Sequence, residues 1–386
     1  MRILHTSDWH IGRTFHGHAT LDALRGVLDA LTEQVRAHGV DVVIVAGDVF
    51  DSAAPAADCY TLLTDTLRQL ADTGARVIVT SGNHDSAARL GFQAGLLRDG
   101  IHVLTDPLAI GDPVTIADEH GPVHFYGIPF LEPALLRHVW EGVRTQEAAL
   151  TRAMDIVRAD LSQRRAIEGG RAVAIAHCFA AGVEPTPHLE RDIQQGGIDV
   201  VPIATFEGVD YAALGHIHGR QQLAPHIRYA GAPLHYSFGE GHKPRGSWLV
   251  ELDATGLGEI TWLDLPVPRR VVTLTAPLDE LLEDSRHAHA EDAWVCAEYT
   301  DDLPQRDPLR RLQQRFPHCA KVVHAPVTVA ERDVRTYAQR VRQAPTDRDK
   351  IEAFLVHVRE GQGATEREQE IIDDVLAARV RVEATA

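Results

Sequence analysis

Three apolar runs open the chain, and each ends abruptly in residues that can bind a cation or move a proton. "RILHTSD" reads as a strand, "VDVVIVAGDVF" as a buried strand with a continuous apolar run, and "ARVIVTSGNHD" as a third. Between them the period changes. Leu21, Leu24, Leu28, Leu31 and Val35 recur at helical spacing within 20–38, and 56–73 predicts a second helix. A further helix-like stretch follows the third strand. This alternation predicts parallel pairing and an α/β core.

Later runs are shorter and separated by turns: "VHFYGIPF", "RAVAIAHC", "YAALGHIH", "IRYAGAP" and "SWLVELD". They predict a second set of strands, with more antiparallel pairing than the first. Two prolines in "DLPVPRR" break the pattern and mark a domain boundary. Beyond it, "VVTLTAP", "AWVCAEYT" and "AKVVHAPV" read as strands and "DPLRRLQQRF" as a helix, which makes a small α+β unit. Ile351, Phe354, Leu355 and Val358 share one face of a following helix, and Ile371, Ile372, Val375 and Leu376 share a face of the last. The domains expected are 1–268, 269–342 and 343–386.

Composition narrows the class. With 386 residues, 44% hydrophobic and 24% charged, the chain reads as a globular protein of more than one unit. No apolar run approaches the roughly 20 residues of a membrane span. The opening "MRILHTSDWH" passes straight from a strand into Asp8, which is not the pattern of a signal peptide. Four scattered cysteines, Cys59, Cys178, Cys296 and Cys319, form no CxxC pair. A reduced, cytoplasmic protein is the expectation. The net charge of −17 (38 − 55) argues against gripping nucleic acid by bulk charge, although cations and local arginines can reverse the field at a site.

The 22 histidines change the picture, because many sit where apolar runs end. The first strand ends in Asp8-Trp9-His10. The second ends in Gly47-Asp48-Val49-Phe50-Asp51, and the third in Gly82-Asn83-His84-Asp85. Later runs end in His177 and in Gly215-His216-Ile217-His218. Sites in open α/β sheets form at the carboxyl ends of strands, so all five groups can meet on one rim. Singly, each has a plainer use: Asp48 or Asp51 as a helix cap, Asn83 in a turn, His177 as a core histidine. Together they have the chemistry of a two-metal centre. One carboxylate can bridge two cations, with imidazole, amide and carboxylate groups completing each shell, for phosphate chemistry by activated water.

Asp-x-His, Gly-Asp-x-x-Asp, Gly-Asn-His-Asp, a later His and Gly-His-x-His resemble the calcineurin-like metallophosphoesterases. "HTSDWHIGRTFHG", "AGDVFD" and "GNHDS" are similar to what the SbcD family of nuclease subunits carries. The resemblance implies a two-sheet sandwich flanked by helices, a small α+β capping domain that guides DNA, and C-terminal helices. It implies that Asp8, His10, Asp48 and His218 hold one metal. Asp48, Asn83, His177 and His216 would hold the other, with Asp48 as bridge. His188 competes with His177. His84 would face the scissile phosphate, oriented by Asp51, and Arg13, His16 and Arg89 are candidate phosphate contacts. Mixed ligands of this kind suit manganese, iron or zinc; the resemblance implies two manganese ions.

The activity implied is double-strand exonuclease and single-strand or hairpin endonuclease action on DNA. The partners implied are an SbcC-type, SMC-like ATPase bound through the C-terminal helices and a second copy of the chain. Helices at 56–73 and 86–99 are candidates for that dimer contact. Core packing on the capping unit is the other use of the C-terminal faces. Two other functions fit part of the pattern: a small-molecule phosphodiesterase or phosphatase of the same superfamily, and a non-enzymatic scaffold. The scaffold is disfavoured, since every ligand position is filled.

Overall fold

Alternation along the first strands sorts their side chains between two different cores. The computed structural model describes residues 1–181, 200–326, 341–342, 344–359 and 362–383. His188 and part of the expected capping unit lie outside these residues. The chain divides into two compact units, Met1–Val271 and Val272–Ala386.

The first unit holds two six-stranded sheets. In the first, the order is Gly256–Asp264, Gly246–Asp253, Arg2–Thr6, Val42–Ala46, Arg76–Thr80, Ile101–Leu104. In the second it is Gln221–Ala224, Ile227–Tyr229, Tyr211–Gly215, Arg171–His177, Gly121–Gly127, Val114–Asp118. Leu4, Val43, Val45, Val77 and Val79 face outward onto Leu24, Leu28, Leu31, Leu62 and Leu70 of helices Leu21–Ala37 and Ala57–Asp72. Ile3, Ile44 and Ile78 face inward onto Phe125, Val173, Ile175 and Ala213 of the second sheet. The second sheet's other face turns Ala172, Ala174, Ala176 and Leu214 toward Leu150, Met154, Val157 and Leu161 of helix Gln146–Ile167. The result is four layers, helix, sheet, sheet and helix, with both faces of each sheet buried.

The second sheet is not the more antiparallel of the two. Each has three parallel and two antiparallel pairings. The reason is the helix Gln146–Ile167, which carries the chain back between Gly121–Gly127 and Arg171–His177 and so allows them to run parallel. Its buried face includes Ala149 and Ala153, a weak apolar signal in the sequence.

A second correction concerns 86–99, which is not one helix. Ser86 caps a single turn, Ala87–Leu90. Gly91 follows, Gln93 stands at φ 63°, and a short 3-10 turn covers Ala94–Leu96. A left-handed residue cannot continue an α-helix.

In the second unit, Val271–Ala276, Trp294–Tyr299 and Cys319–His324 form a three-stranded sheet. Leu278, Leu281 and Leu312 from helices Leu278–Glu283 and Pro308–Arg315 pack with Val295, Ala297 and Phe316. A capping box between Thr346 and Asp349 starts helix Asp347–Val358. Arg348–Asp373 and Arg359–Glu368 ion pairs link it to helix Glu366–Glu383. Ala353 is the only described residue of either helix that is buried; Phe354, Val358, Ile371 and Val375 are exposed. Ile351, Leu355, Ile372 and Leu376, the other residues of those faces, are half-buried. Among the described residues, no helix is long and apolar enough to cross a membrane.

The two sheets meet at the tips of their central strands, where glycine is obligatory. A Cβ on Gly215 would overlap the Ala46 carbonyl oxygen, far inside van der Waals contact. Gly215→Ala is therefore expected to lower stability by about 1–3 kcal/mol, the usual range for overpacking. Chemical denaturation against wild type measures it.

Candidate metal centre

Five strands, Arg2–Thr6, Val42–Ala46, Arg76–Thr80, Arg171–His177 and Tyr211–Gly215, end at this junction in residues that can serve as ligands. The first two turns are zipped together: Asp8 N–H donates to Gly47 O at 3.1 Å, His10 N–H to Asp48 O at 2.9 Å and Ile11 N–H to Val49 O at 2.9 Å. Asp8, His10, Asp48 and His216 all stand in the left-handed region, at φ 52°, 44°, 48° and 108°. Non-glycine residues there cost free energy, and such strain collects at functional sites. The two sheets are then joined across the gap. Asp8 Oδ1 accepts from His216 N–H at 2.9 Å, and His177 Nδ1 lies 3.0 Å from the Ala46 carbonyl.

These turns bring together two clusters. Asp8, His10 and His218 offer ligand atoms within 4.8 Å of one another, and so do Asp48, His177 and His216. Asn83 Oδ1 joins the second, 3.0 Å from His177 Nε2 and 3.0 Å from His216 Nδ1. One atom reaches both clusters: Asp48 Oδ2 lies 3.6 Å from His10 Nε2 and 3.4 Å from His177 Nε2. All of the expected ligand residues therefore meet. Glycine makes room for them, since a Cβ on Gly82 would overlap Asp48 Oδ1 and one on Gly47 would overlap the His177 ring.

The electrostatics call for positive charge. Burial alone would raise the Asp48 pKa, yet His177, His10 and His84 hold it well below the usual carboxylate range. Burial works against a charged His177, but Asp48 and Asp8 push its pKa up to about 9. His216 is driven down to about 3 by burial and by the neighbouring His177. The hydrogen bonding agrees. The Ala46 carbonyl can only accept, so it takes the Nδ1 proton of His177. A charged His177 then donates from Nε2 toward Asn83 Oδ1 and Asp48 Oδ2, and a cation bound there would take the place of that proton. His10 Nε2 and His218 Nε2 lie 3.1 Å apart and can share one proton. The donor set of carboxylate, imidazole and amide oxygen gathered here fits two divalent cations.

His84 stands at the open side, with its side chain 38% exposed. Its N–H donates to Asp48 Oδ1 at 2.9 Å, and its Nδ1 lies 2.9 Å from the Asp51 main-chain oxygen. The ring edge that remains is Nε2. Asp51 thus aligns His84 through its carbonyl, because its carboxylate is 4.0 Å away and engaged elsewhere. That carboxylate accepts from Arg13 at 3.1 Å and lies 3.4 Å from His10 Nδ1. Arg13 also covers the Tyr236 ring, and Arg89 donates to the Ala53 carbonyl at 2.6 Å. Both candidate phosphate contacts are engaged within the fold. His16 packs beside Phe238, with ring centroids 4.9 Å apart.

Three supporting residues escaped the sequence reading. Ser7 donates to Asp8 Oδ2 at 2.5 Å. Asp85 accepts from Gly82, Val49 and Phe50 N–H at 2.9, 3.0 and 2.8 Å, which binds the second and third turns together. Glu240 lies 3.3 Å from His218 Nδ1. Asp85 stood within the GNHD run, whereas Glu240 belongs to no repeat or strand-end pattern.

The fold and the paired clusters define a dinuclear phosphoesterase, and comparison with known proteins agrees. The calcineurin-like phosphoesterase model matches residues 1–220, and the model for the type 5 capsule protein repressor C-terminal domain matches 267–357. The SbcD subunit of nuclease SbcCD from Escherichia coli strain K12 is 32% identical over 327 residues, 81% of this chain and 81% of that protein. Its counterpart from Escherichia coli O157:H7 matches equally. A solved dimetal phosphatase from Danio rerio is 12% identical, with a TM-score of 0.40 over 69% of this chain and 99% of that one. The chain belongs to the SbcD-like nuclease subunits of the calcineurin-like metallophosphoesterase superfamily. Its activity is that class's metal-dependent phosphoester hydrolysis.

A raised His177 pKa has a consequence in the metal-free protein. From the usual 6.5 it moves to about 9, so its stabilising contribution is complete below about pH 6.5 and is lost as pH rises through about 9. Cation binding at pH 7 must then displace that proton. Calorimetry in buffers of different ionisation enthalpy is expected to show release of about one proton per chain, abolished in His177→Asn.

Proposed function

We propose that the chain is the nuclease subunit of an SbcCD-type DNA repair complex. In this reading it acts as an exonuclease on double-stranded DNA and as an endonuclease on single strands and hairpins. The observation that carries it is Asp48 Oδ2, one oxygen facing imidazoles of both clusters. Two divalent ions there, manganese in our reading, supply a lowered water pKa and a clamp on the phosphodiester.

The chain's own groups do the rest. Asp8, His10, Asp48 and His218 fix one position, and Asp48, Asn83, His177 and His216 the other. The Asp51 carbonyl holds the Nδ1 proton of His84, which aims Nε2 at the reacting phosphate. From there His84 stabilises charge on the phosphoryl oxygens and delivers a proton to the leaving 3′-oxygen.

Exposed apolar surface supports the partners. Phe354, Val358, Ile371 and Val375 on the C-terminal helices offer a helix-in-groove site for an SbcC-type ATPase. Phe92, 73% exposed, and Leu97 line a groove with Tyr60, Leu63 and Val103, which suits a second copy. Function in the cytoplasm accords with these partners.

End-labelled duplex and hairpin DNA with added manganese tests the activity. His84→Ala is expected to lose about 10²–10⁴-fold in cleavage rate while keeping both ions. Asp48→Ala should lose ions and cleavage together. Hydrolysis of a small diester without DNA cleavage would overturn the nuclease reading.

The partner reading has its own measurement. Phe354→Asp with Val375→Asp should change stability by no more than about 0.5 kcal/mol, since both sites are exposed. Co-purification with the coexpressed ATPase should be lost.

A further inference from the structure

A buried ion pair brackets one of the metal-site histidines from both ends. Glu240 and Arg245 are almost fully buried. Glu240 Oε2 lies 2.9 Å from Arg245 Nη2. The same Glu240 presents Oε1 to His218 Nδ1 at 3.3 Å, and Arg245 Nη1 donates to the main-chain oxygen of His218. One partner therefore grips the imidazole and the other grips the backbone. Glu240 is itself held by the Tyr236 N–H at 3.2 Å and the Ser237 hydroxyl at 3.4 Å. Arg245 also donates to the Ala232 carbonyl at 3.1 Å. Gly231, at φ 82°, passes under the His218 carbonyl, and a Cβ there would sit 2.7 Å from it. Nothing in this wall can yield.

Stability alone does not account for such a pair. Removing two charges from water costs several kcal/mol per ion, and well-packed apolar side chains of similar volume often serve the fold as well or better. What an ion pair adds is direction. A carboxylate beside Nδ1 fixes that nitrogen as the protonated one, so Nε2 keeps its lone pair and its aim. His218 Nε2 is the atom that meets His10 Nε2. The other histidine of that cluster has a different support: Asp51, 3.4 Å from His10 Nδ1, is a partly exposed carboxylate that it shares with Arg13.

We infer that Glu240, locked by Arg245, is a positioning residue that sets the affinity of the Asp8–His10–His218 cation position through the tautomer and orientation of His218. This rests on the two-cation reading of the site. Glu240 touches neither substrate nor reacting atoms.

Manganese titration of the metal-free protein by calorimetry and electron spin resonance tests it without any turnover. Wild type should take two ions. Glu240→Gln keeps the shape but can offer its amide N–H₂ to Nδ1 and so reverse the tautomer. It should retain one ion at wild-type affinity and bind the second about 10- to 100-fold more weakly. Glu240→Asp should recover part of the loss. If Glu240→Gln fails to fold, Glu240→Leu with Arg245→Met replaces the pair by apolar side chains of similar size. That double variant should fold and still show the weakened position. Two ions bound at wild-type affinity in either folded variant would overturn the inference. Failure of wild type itself to bind two ions would instead overturn the underlying site reading.

Discussion

The placement of one carboxylate governs the centre. Asp48 is buried at the end of the second strand, its Oδ1 taken by the His84 N–H and its Oδ2 turned to His10 and His177. An isolated carboxylate in that position would be expelled or protonated. It stays ionised because imidazoles from both sheets surround it. The sheets in turn can approach only where Gly47 and Gly215 leave space for His177 and the Ala46 carbonyl, while Gly82 leaves space for Asp48 within the first sheet. Charge, backbone and glycine are a single constraint here.

That constraint explains the architecture around it. A site fed from both sheets needs strands that run the same way to the same rim, and parallel strands need crossover helices. Both sheets supply them, with Leu21–Ala37 and Ala57–Asp72 outside the first and Gln146–Ile167 outside the second. The layers carry the burial energy, and the turns are left free for chemistry. Four ligand residues hold left-handed backbone there, a cost the surrounding ladders sustain.

What the sequence revealed follows the same division. Strand ends were legible because an apolar run stopping at Asp, Asn or His is a local pattern. Even His177, marked by little more than "AIAHC", closes strand Arg171–His177 and comes to lie beside Asp48 and Asn83. Relations that depend on distant or main-chain atoms were not legible. The direction of strand pairing in the second sheet depends on a helix with an alanine-rich face. The Asp51 carbonyl beside His84 leaves no trace in a residue name. Glu240 reaches His218 across 22 positions of chain, with no period to announce it. Nor could the sequence show that Arg13 pairs with Asp51 or that Arg89 donates to the Ala53 carbonyl.

The engagement of those arginines bears on how an acidic chain would accept a polyanion. With a net charge of −17, long-range attraction for DNA is absent, and beyond about 10 Å salt screens what field there is. Arg13 is paired with Asp51, whereas Arg89 is exposed and gives one N–H to the Ala53 carbonyl. In the proposed function the positive potential at the phosphate comes from two divalent ions, which add four charges within a few ångströms of Asp48. Residues that aim and retain those ions then act on substrate binding as well as on chemistry. This gives weight to a second layer of support, the Glu240–Arg245 pair behind His218 and Asp85 between the turns. Each holds in place groups of the candidate metal centre, Glu240 at His218 and Asp85 at the second and third turns.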